Sequence, residues 1–320
     1  MSETEQTREE IAKFSRKLGE LREEIGKMIV GHREVVDGVL TCLLAGSHVL
    51  LEGVPGLGKT MLVRTLAQVL GLDFSRIQFT PDLMPADIIG TVVLDENAQG
   101  GHVFEFRRGP IFAHVVLADE INRATPKTQS ALLEAMEEKQ VTVEGETRAL
   151  PSPFFVIATQ NPHDQLGTFA LPESQLDRFL MRISLGYPDR AAERALYAGA
   201  DRRQMVEHLG NTLSPIELQV LQEQVQKVHA AEPLLDYVQD LVAASRSGRW
   251  FLQGLSPRAG IAVIRAAKAQ ALLSGRDYVA PDDVQAVFPQ TVAHRMVPVG
   301  DAGRGPIEQV RAMLEAVPLP

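Results

Sequence analysis

Gly53-Val54-Pro55-Gly56-Leu57-Gly58-Lys59-Thr60 follows the apolar run Val49-Leu50-Leu51 and precedes Met61-Leu62-Val63-Arg64-Thr65-Leu66-Ala67-Gln68-Val69-Leu70, a stretch without Gly or Pro. The order predicts strand, glycine loop, helix, the context in which G-x-x-x-x-G-K-[ST] binds phosphate. The glycines let the chain curl so that successive backbone N–H groups converge on one anion. The helix N-terminus adds partial positive charge at the same spot. Lys59 is then placed for the β- and γ-phosphates and Thr60 for a magnesium ion.

On either side of the loop, short apolar strands alternate with helical stretches from 49 to about 186. Strands are expected at 49–52, 77–79, 115–118, 154–158 and 181–185. Continuous apolar runs of this length suit a parallel sheet covered on both faces, and the interposed helices make the region α/β. Two segments read as inserted hairpins, with strands near 91–94 and 102–106, and at 141–143 and 147–150. Residues 7–28 carry Ile11, Phe14, Leu18, Leu21, Ile25 and Met28 at helical spacing, a stripe expected to lie on the following domain. A second helix is expected over 33–46. Gly186-Tyr187-Pro188 breaks the alternation, and helices are expected near 190–209, 214–230, 232–247, 257–274, 281–294 and 306–316. Pro257 and Pro281 fall near helix starts, where proline is tolerated. The resulting division is N-terminal helices packed on the core at 1–48, an α/β nucleotide-binding domain at 49–186, a linker with helix at 187–212, and a smaller helical domain at 213–320.

The strand at 115–118 runs into Asp119-Glu120. The C-terminal end of a buried strand is where an open α/β sheet places its chemistry. Asp119 is expected to hold magnesium, directly or through water, and Glu120 to polarise an attacking water. The competing reading is a capping pair for the next helix. The strand at 154–158 runs into Thr159-Gln160-Asn161-Pro162, where Asn161 can contact a γ-phosphate, or simply form a turn before proline. Arg178, at the edge of the last strand, can reach a neighbouring subunit's nucleotide or stay solvated; Arg182 is the alternative four residues on. Arg258, in Gly254-Leu255-Ser256-Pro257-Arg258, can swing onto the γ-phosphate when the domains close, or serve as an ordinary helix-start arginine.

The composition is that of a soluble globular chain: 320 residues, 45% hydrophobic and 23% charged, with net charge −9. That balance and only 5% aromatic residues speak against a broad nucleic-acid face. Cys42 is the only cysteine, which excludes an intrachain disulfide and a cysteine metal site. The N-terminus is acidic and polar, unlike a signal peptide, and no apolar run approaches a membrane span. A cytoplasmic protein is expected.

Taken in order, these elements resemble the AAA+ ATPases: a Walker A loop at 53–60, a Walker B pair Asp119-Glu120, a sensor 1 Asn161, an arginine finger Arg178 and a sensor 2 Arg258. Further segments resemble the MoxR family within them: Ile29-Val30-Gly31-His32, the stretch from Pro81-Asp82 to Ile89-Gly90, Arg108-Gly109-Pro110-Ile111-Phe112, Asp119-Glu120-Ile121-Asn122-Arg123-Ala124, Thr159-Gln160-Asn161-Pro162 and Gly254-Leu255-Ser256-Pro257-Arg258-Ala259. The resemblance spans about 22–297. It implies a P-loop parallel sheet domain with two β-hairpin inserts and an all-α lid, with ATP and Mg2+ as cofactors. Nucleotide contacts are implied at Gly31, His32, Gly53, Pro55, Gly56, Leu57, Gly58, Lys59, Thr60, Met61 and Asp119, and magnesium contacts at Thr60 and Asp119. It further implies a homo-oligomeric, hexameric ring with ATP at subunit interfaces, and chaperone-like remodelling of a client protein complex. A von Willebrand factor A domain protein is the implied partner. A metal-chelatase-like motor subunit and a DNA translocase or helicase share the core and stand as alternatives.

Overall fold

The computed structural model describes residues 3–54, 56–96, 102–161, 167–198, 205–206, 208–299 and 305–320. Pro55 and Pro162, the turn of the first expected hairpin at 98–101, and residues 199–204 and 207 of the helix expected at 190–209 lie outside them.

The strands are β1 (His48–Glu52), β2 (Phe74–Gln78), β3 (Gly90–Glu96), β4 (His102–Arg108), β5 (Val115–Asp119), β6 (Gln140–Val143), β7 (Glu146–Ala149), β8 (Phe155–Gln160) and β9 (Phe179–Ser184). Five of them form one sheet in the order β2-β5-β8-β1-β9, every pairing parallel. The two antiparallel pairs, β3-β4 and β6-β7, are the expected hairpins and stand outside the sheet. Successive strand residues face opposite sides. Val49, Leu51, Val115, Leu117, Phe155 and Ile157 join one apolar core, while Leu50, Val116, Ala118, Val156 and Ala158 join the other. Burial on both faces is why these strands read as unbroken apolar runs. Strand β2 differs. It is an edge strand, Phe74-Ser75-Arg76-Ile77-Gln78, in which only Ile77 is buried, and it begins three residues before the expected 77–79. Its alternation sets Arg76 and Gln78 on one face.

The helices are α1 (Glu3–Met28), α2 (Arg33–Leu44), α3 (Lys59–Val69), α4 (Pro85–Ile89), α5 (Pro126–Glu138), α6 (Glu173–Leu176), α7 (Arg190–Ala198), α8 (Pro215–Lys227), α9 (Glu232–Ser245), α10 (Pro257–Leu273), α11 (Pro281–Val292) and α12 (Pro306–Ala316). Proline stands at the first position of α8, α10, α11 and α12, where a missing N–H costs nothing. Ser214 and Glu217 close a capping box at α8. The hydroxyl of Ser256 caps α10 by accepting from the Ala259 N–H at 3.2 Å.

Leu18, Leu21, Ile25 and Met28 of α1 are buried, and the helix packs on α3, α2 and α10. Arg22 pins it there, pairing with Asp37 at 2.7 Å and donating to the Leu273 carbonyl at 3.0 Å. The C-terminal helices share the core of the first sheet face: α10 packs on α2 and α8, and α11 packs on β9. A 3-10 turn, Ala293–Arg295, ends α11 two residues earlier than the sequence suggested. From it the nearly buried Arg295 donates to Asp177 Oδ1 at 2.7 Å and to the Phe179 carbonyl at 3.0 Å. This ties the C-terminal helices to the start of β9. Among the described residues no helix is long and apolar enough to cross a membrane.

Candidate active site

The loop after β1 turns into α3 through Gly56 (φ +88°) and Gly58 (φ +83°). These left-handed values strain any residue with a Cβ, so the sequence needs glycine where the backbone must face inward. Lys59 is nearly buried at the first position of α3, and its ammonium donates to the Gly53 carbonyl at 2.7 Å. Thr60 follows it.

Strand β8 lies between β5 and β1, so its C-terminal end sits beside both the glycine loop and the acidic pair. Thr159 uses that position. Its hydroxyl donates to Asp119 Oδ1 at 2.6 Å and accepts from the Glu120 N–H at 2.9 Å. Asp119 Oδ2 accepts from Arg76 Nη2 at 2.7 Å and Nε at 3.2 Å. Glu120 sits at φ +57°, a left-handed conformation uncommon for this residue type. Its Oε2 accepts from Gln78 Nε2 at 3.0 Å and Arg123 Nη1 at 2.8 Å. Both acids are therefore held by the edge strand β2. Asn161 is buried just beyond β8, at the same end of the sheet.

A cleft of about 590 Å³ runs between these groups. Lys59, Thr60, Arg64 and Arg76 supply donors, and Asp119 and Glu120 face them. Gly56, Gly58 and Met61 also border a second cavity of about 420 Å³, walled by Met28, Ile29, His32, Leu57 and Tyr187. Burial lowers the His32 pKa, and Asp189 offsets part of that, which favours a neutral ring near pH 7. Gly31 does not line this cavity. It has φ +81°, and a Cβ there would meet the Ala192 Cβ at 2.6 Å. Its lack of a side chain lets α7 close against the loop. A polyphosphate end beside an apolar slot for a flat base fits a nucleoside triphosphate. Thr60 and Asp119 offer the hydroxyl and carboxylate that Mg2+ takes together with phosphate oxygens. Direct ligation by Asp119 Oδ2 would require Arg76 to move.

Arg178 and Arg258 lie elsewhere. His48 at the start of β1 pairs with Phe179, and Glu52 at its end pairs with Ser184. Arg178, just before Phe179, is thus at the opposite end of the sheet from the glycine loop. It donates to the Leu133 carbonyl at 2.7 Å and pairs with Glu137. Arg258 joins it, with Nη2 3.2 Å from Glu137 Oε1 and Nε 3.5 Å from Asp177 Oδ2. The expected closure of Arg258 onto the loop of its own chain does not match this arrangement. Helix α10 is fixed by its packing on α2 and α8, which points its N-terminus at the far end of the sheet. Arg178 and Arg258 border a cleft of about 270 Å³ with Lys139, Arg265 and Arg295. Arg182 lies in mid-strand, its Nε 3.3 Å from Glu52 Oε2.

The sequence reading did not single out Arg76, Gln78, Arg123, Thr159 or Glu137 as site residues. The polar alternation of β2 was the available signal for the first two. Thr159 stood within the quoted Thr159-Gln160-Asn161-Pro162, but the carboxylate contact belongs to it.

Residues 48–181 match the model of the ATPase family associated with various cellular activities (AAA), and 243–316 match the AAA lid domain. The chain is 46% identical over 306 residues to the uncharacterized protein YeaC of Bacillus subtilis, covering 95% of each. It is 43% identical over 316 residues to chaperone MoxR1 of Mycobacterium tuberculosis, covering 93% of this chain and 81% of that protein. It is 33% identical to protein MoxR of Methylorubrum extorquens over 93% of both. A crystal structure from Cytophaga hutchinsonii superposes with a TM-score of 0.88 at 38% identity, covering 99% of both chains. A glycine loop, an acidic pair at the end of the adjacent parallel strand and a helical lid, found together at this level of likeness, make the chain a member of the MoxR family of AAA+ ATPases.

Proposed function

We propose that this chain hydrolyses Mg-ATP and works as a homo-oligomeric ring that remodels or activates a partner protein complex. The observation that carries the first half is the cleft joining Lys59, Thr60, Asp119 and Glu120 to the apolar slot beside His32. Residues 53–61 bind the triphosphate through backbone N–H groups and the Lys59 ammonium. Bound Mg2+ would neutralise charge building on the β- and γ-oxygens. Glu120 orients and deprotonates the attacking water once released from Gln78 and Arg123, and Asn161 helps place that water. Little covalent chemistry is asked of the protein, so positioning and electrostatics supply the rate.

The same reading makes Arg178 and Arg258 a pair that serves the neighbouring subunit's γ-phosphate. Their position far from the loop of their own chain supports it, since neither can serve that loop without a large rearrangement. In this scheme 49–186 is the nucleotide domain, 213–320 the lid and 1–48 a brace packed on both. Movement of the lid relative to the nucleotide domain after hydrolysis would then be read out through the hairpins β3-β4 and β6-β7. The partner we favour carries a von Willebrand factor A domain, as expected for the family.

Glu120→Gln tests the chemistry. Nucleotide binding should persist while turnover falls roughly 100-fold or more, the usual scale for losing a general base. Unchanged turnover would sink the assignment. Arg178→Ala should also lower turnover. Mixed with Glu120→Gln subunits, it should regain activity, because each variant supplies what the other lacks. A mixture no better than its parts would mean that Arg178 does not act across an interface.

A further inference from the structure

Glu137 lies one residue before the end of α5 and divides its carboxylate between two parts of the fold. Oε1 faces Arg258 Nη2 of the lid at 3.2 Å, and Oε2 pairs with Arg178 at the start of β9. Asp177 repeats the pattern beside it, with Oδ2 3.5 Å from Arg258 Nε and Oδ1 2.7 Å from Arg295 Nε. Four elements thus meet on two carboxylates. Without them, three guanidinium groups with Lys139 and Arg265 nearby would repel one another. Arg178 and Arg258 are also long side chains with much rotamer freedom to lose.

Asp177 and the nearly buried Arg295 form the inner half of this network. Asp177 also bonds backbone-anchored Arg295, so its role in holding β9 to the lid is structural. Glu137 is different. Its side chain is 39% exposed, and its recorded partners are the two arginines. It sits on a helix whose start is fixed by Gln129, which donates to the Ile121 and Ala124 carbonyls at 3.2 Å each. A surface carboxylate on a rigid helix, facing two arginines from different domains, adds little to stability. It does set the distance between the two cations.

We propose that Glu137 is a positioning residue that holds Arg178 and Arg258 as one unit for delivery to a neighbouring subunit's γ-phosphate. This rests on the reading that the two arginines act across the interface. A single carboxylate spacing two guanidinium groups presents them as a preformed clamp. When phosphate oxygens arrive, they take over donors that Glu137 had kept aligned, so little ordering remains to be done at the moment of reaction.

The test is steady-state ATP hydrolysis by the assembled full chain, with assembly checked by sedimentation and binding by a fluorescent ATP analogue. Glu137→Gln should lower kcat on the order of tenfold while KM stays within about twofold, since its own phosphate loop is untouched. The loss should nearly vanish in an Arg258→Ala background. Mixing Glu137→Gln with Glu120→Gln chains should restore turnover at the Glu137→Gln sites, which then receive arginines from an intact neighbour. Normal kcat in Glu137→Gln, with Arg178→Ala and Arg258→Ala both impaired, would overturn the inference and leave the interface reading standing. Equal loss with and without Arg258 would also overturn it, by making Glu137 a mere fold contact. If neither arginine variant is impaired, the interface reading itself fails. A melting curve verifies the fold, and Glu137→Asp, too short to reach both arginines, applies the same test should the Gln variant melt early.

Discussion

Arg76 shows how much one side chain can gate. Its guanidinium holds Asp119 through two donors, on the oxygen that a metal ion would use. The pair is partly exposed on the arginine side, at 47%, so its strength is that of a surface ion pair, up to about 1 kcal/mol. Arg76→Ala should therefore lower the Mg2+ concentration for half-maximal turnover by up to about fivefold. A magnesium titration at fixed ATP reads this directly, and an unchanged midpoint would show that Arg76 does not compete for Asp119. At this scale the sequence spoke unevenly. Lys59, Thr60, Asp119 and Glu120 were legible because phosphate chemistry demands those types at that spacing. Arg76, Gln78 and Thr159 were not, because their contact with the acids depends on which strands are neighbours, and a single strand does not carry that information.

Strands and helices differ in how far they announce themselves. The central strands, buried on both faces, read as apolar runs, and the C-terminal helices with proline at their first turn, α8 to α12, were found to within a few residues. Strand β2 was shortened because an edge strand with Arg76 and Gln78 on its open face lacks the apolar signature. The placement of α10 was illegible for a related reason. Ser256-Pro257-Arg258 marks a helix start, but only packing on α2 and α8 decides where that start points. One tie between elements has a measurable cost in acid. His48, buried at the foot of β1, takes the Val156 N–H on Nδ1 at 3.0 Å and faces the Met136 carbonyl through Nε2 at 3.2 Å. That pattern needs the neutral ring. Burial, with a smaller push from Lys139, lowers its pKa from 6.5 to about 4. The unfolded chain binds the proton first as pH falls below 6.5, so this stabilisation is complete above that value and drains away toward pH 4. Between pH 7 and 5 the loss should be about 2 kcal/mol. Denaturant melts at the two pH values should show it, and His48→Gln should shrink the difference by about that amount, leaving the share of the buried His294, whose pKa is also lowered by burial; an equal drop in both chains would assign it to other groups.

The whole molecule is organised by polarity along its sheet. Parallel strands give the sheet two unlike ends. The glycine loop and acids occupy one, while Arg178, Arg258 and Glu137 occupy the other. Sequence order recorded the inventory of both ends but not their separation, because Arg178 is near Asn161 in the chain and far from the loop in space. The lid is not loosely tethered either, since one apolar core runs from α1 through the sheet face to α12.

That separation has a consequence in the language of mass action. Under the proposed interface reading, a lone chain owns a substrate pocket and a set of activating cations that never meet, so it resembles a lock carrying the key to the next door. Copy number then becomes the effector. Turnover per chain should climb steeply with protein concentration and level off once rings are complete, and dilution should act as an inhibitor that ATP offsets only so far as nucleotide held between subunits favours assembly. Specific activity that stays flat across a hundred-fold dilution series, with sedimentation showing monomers at the low end, would refute it.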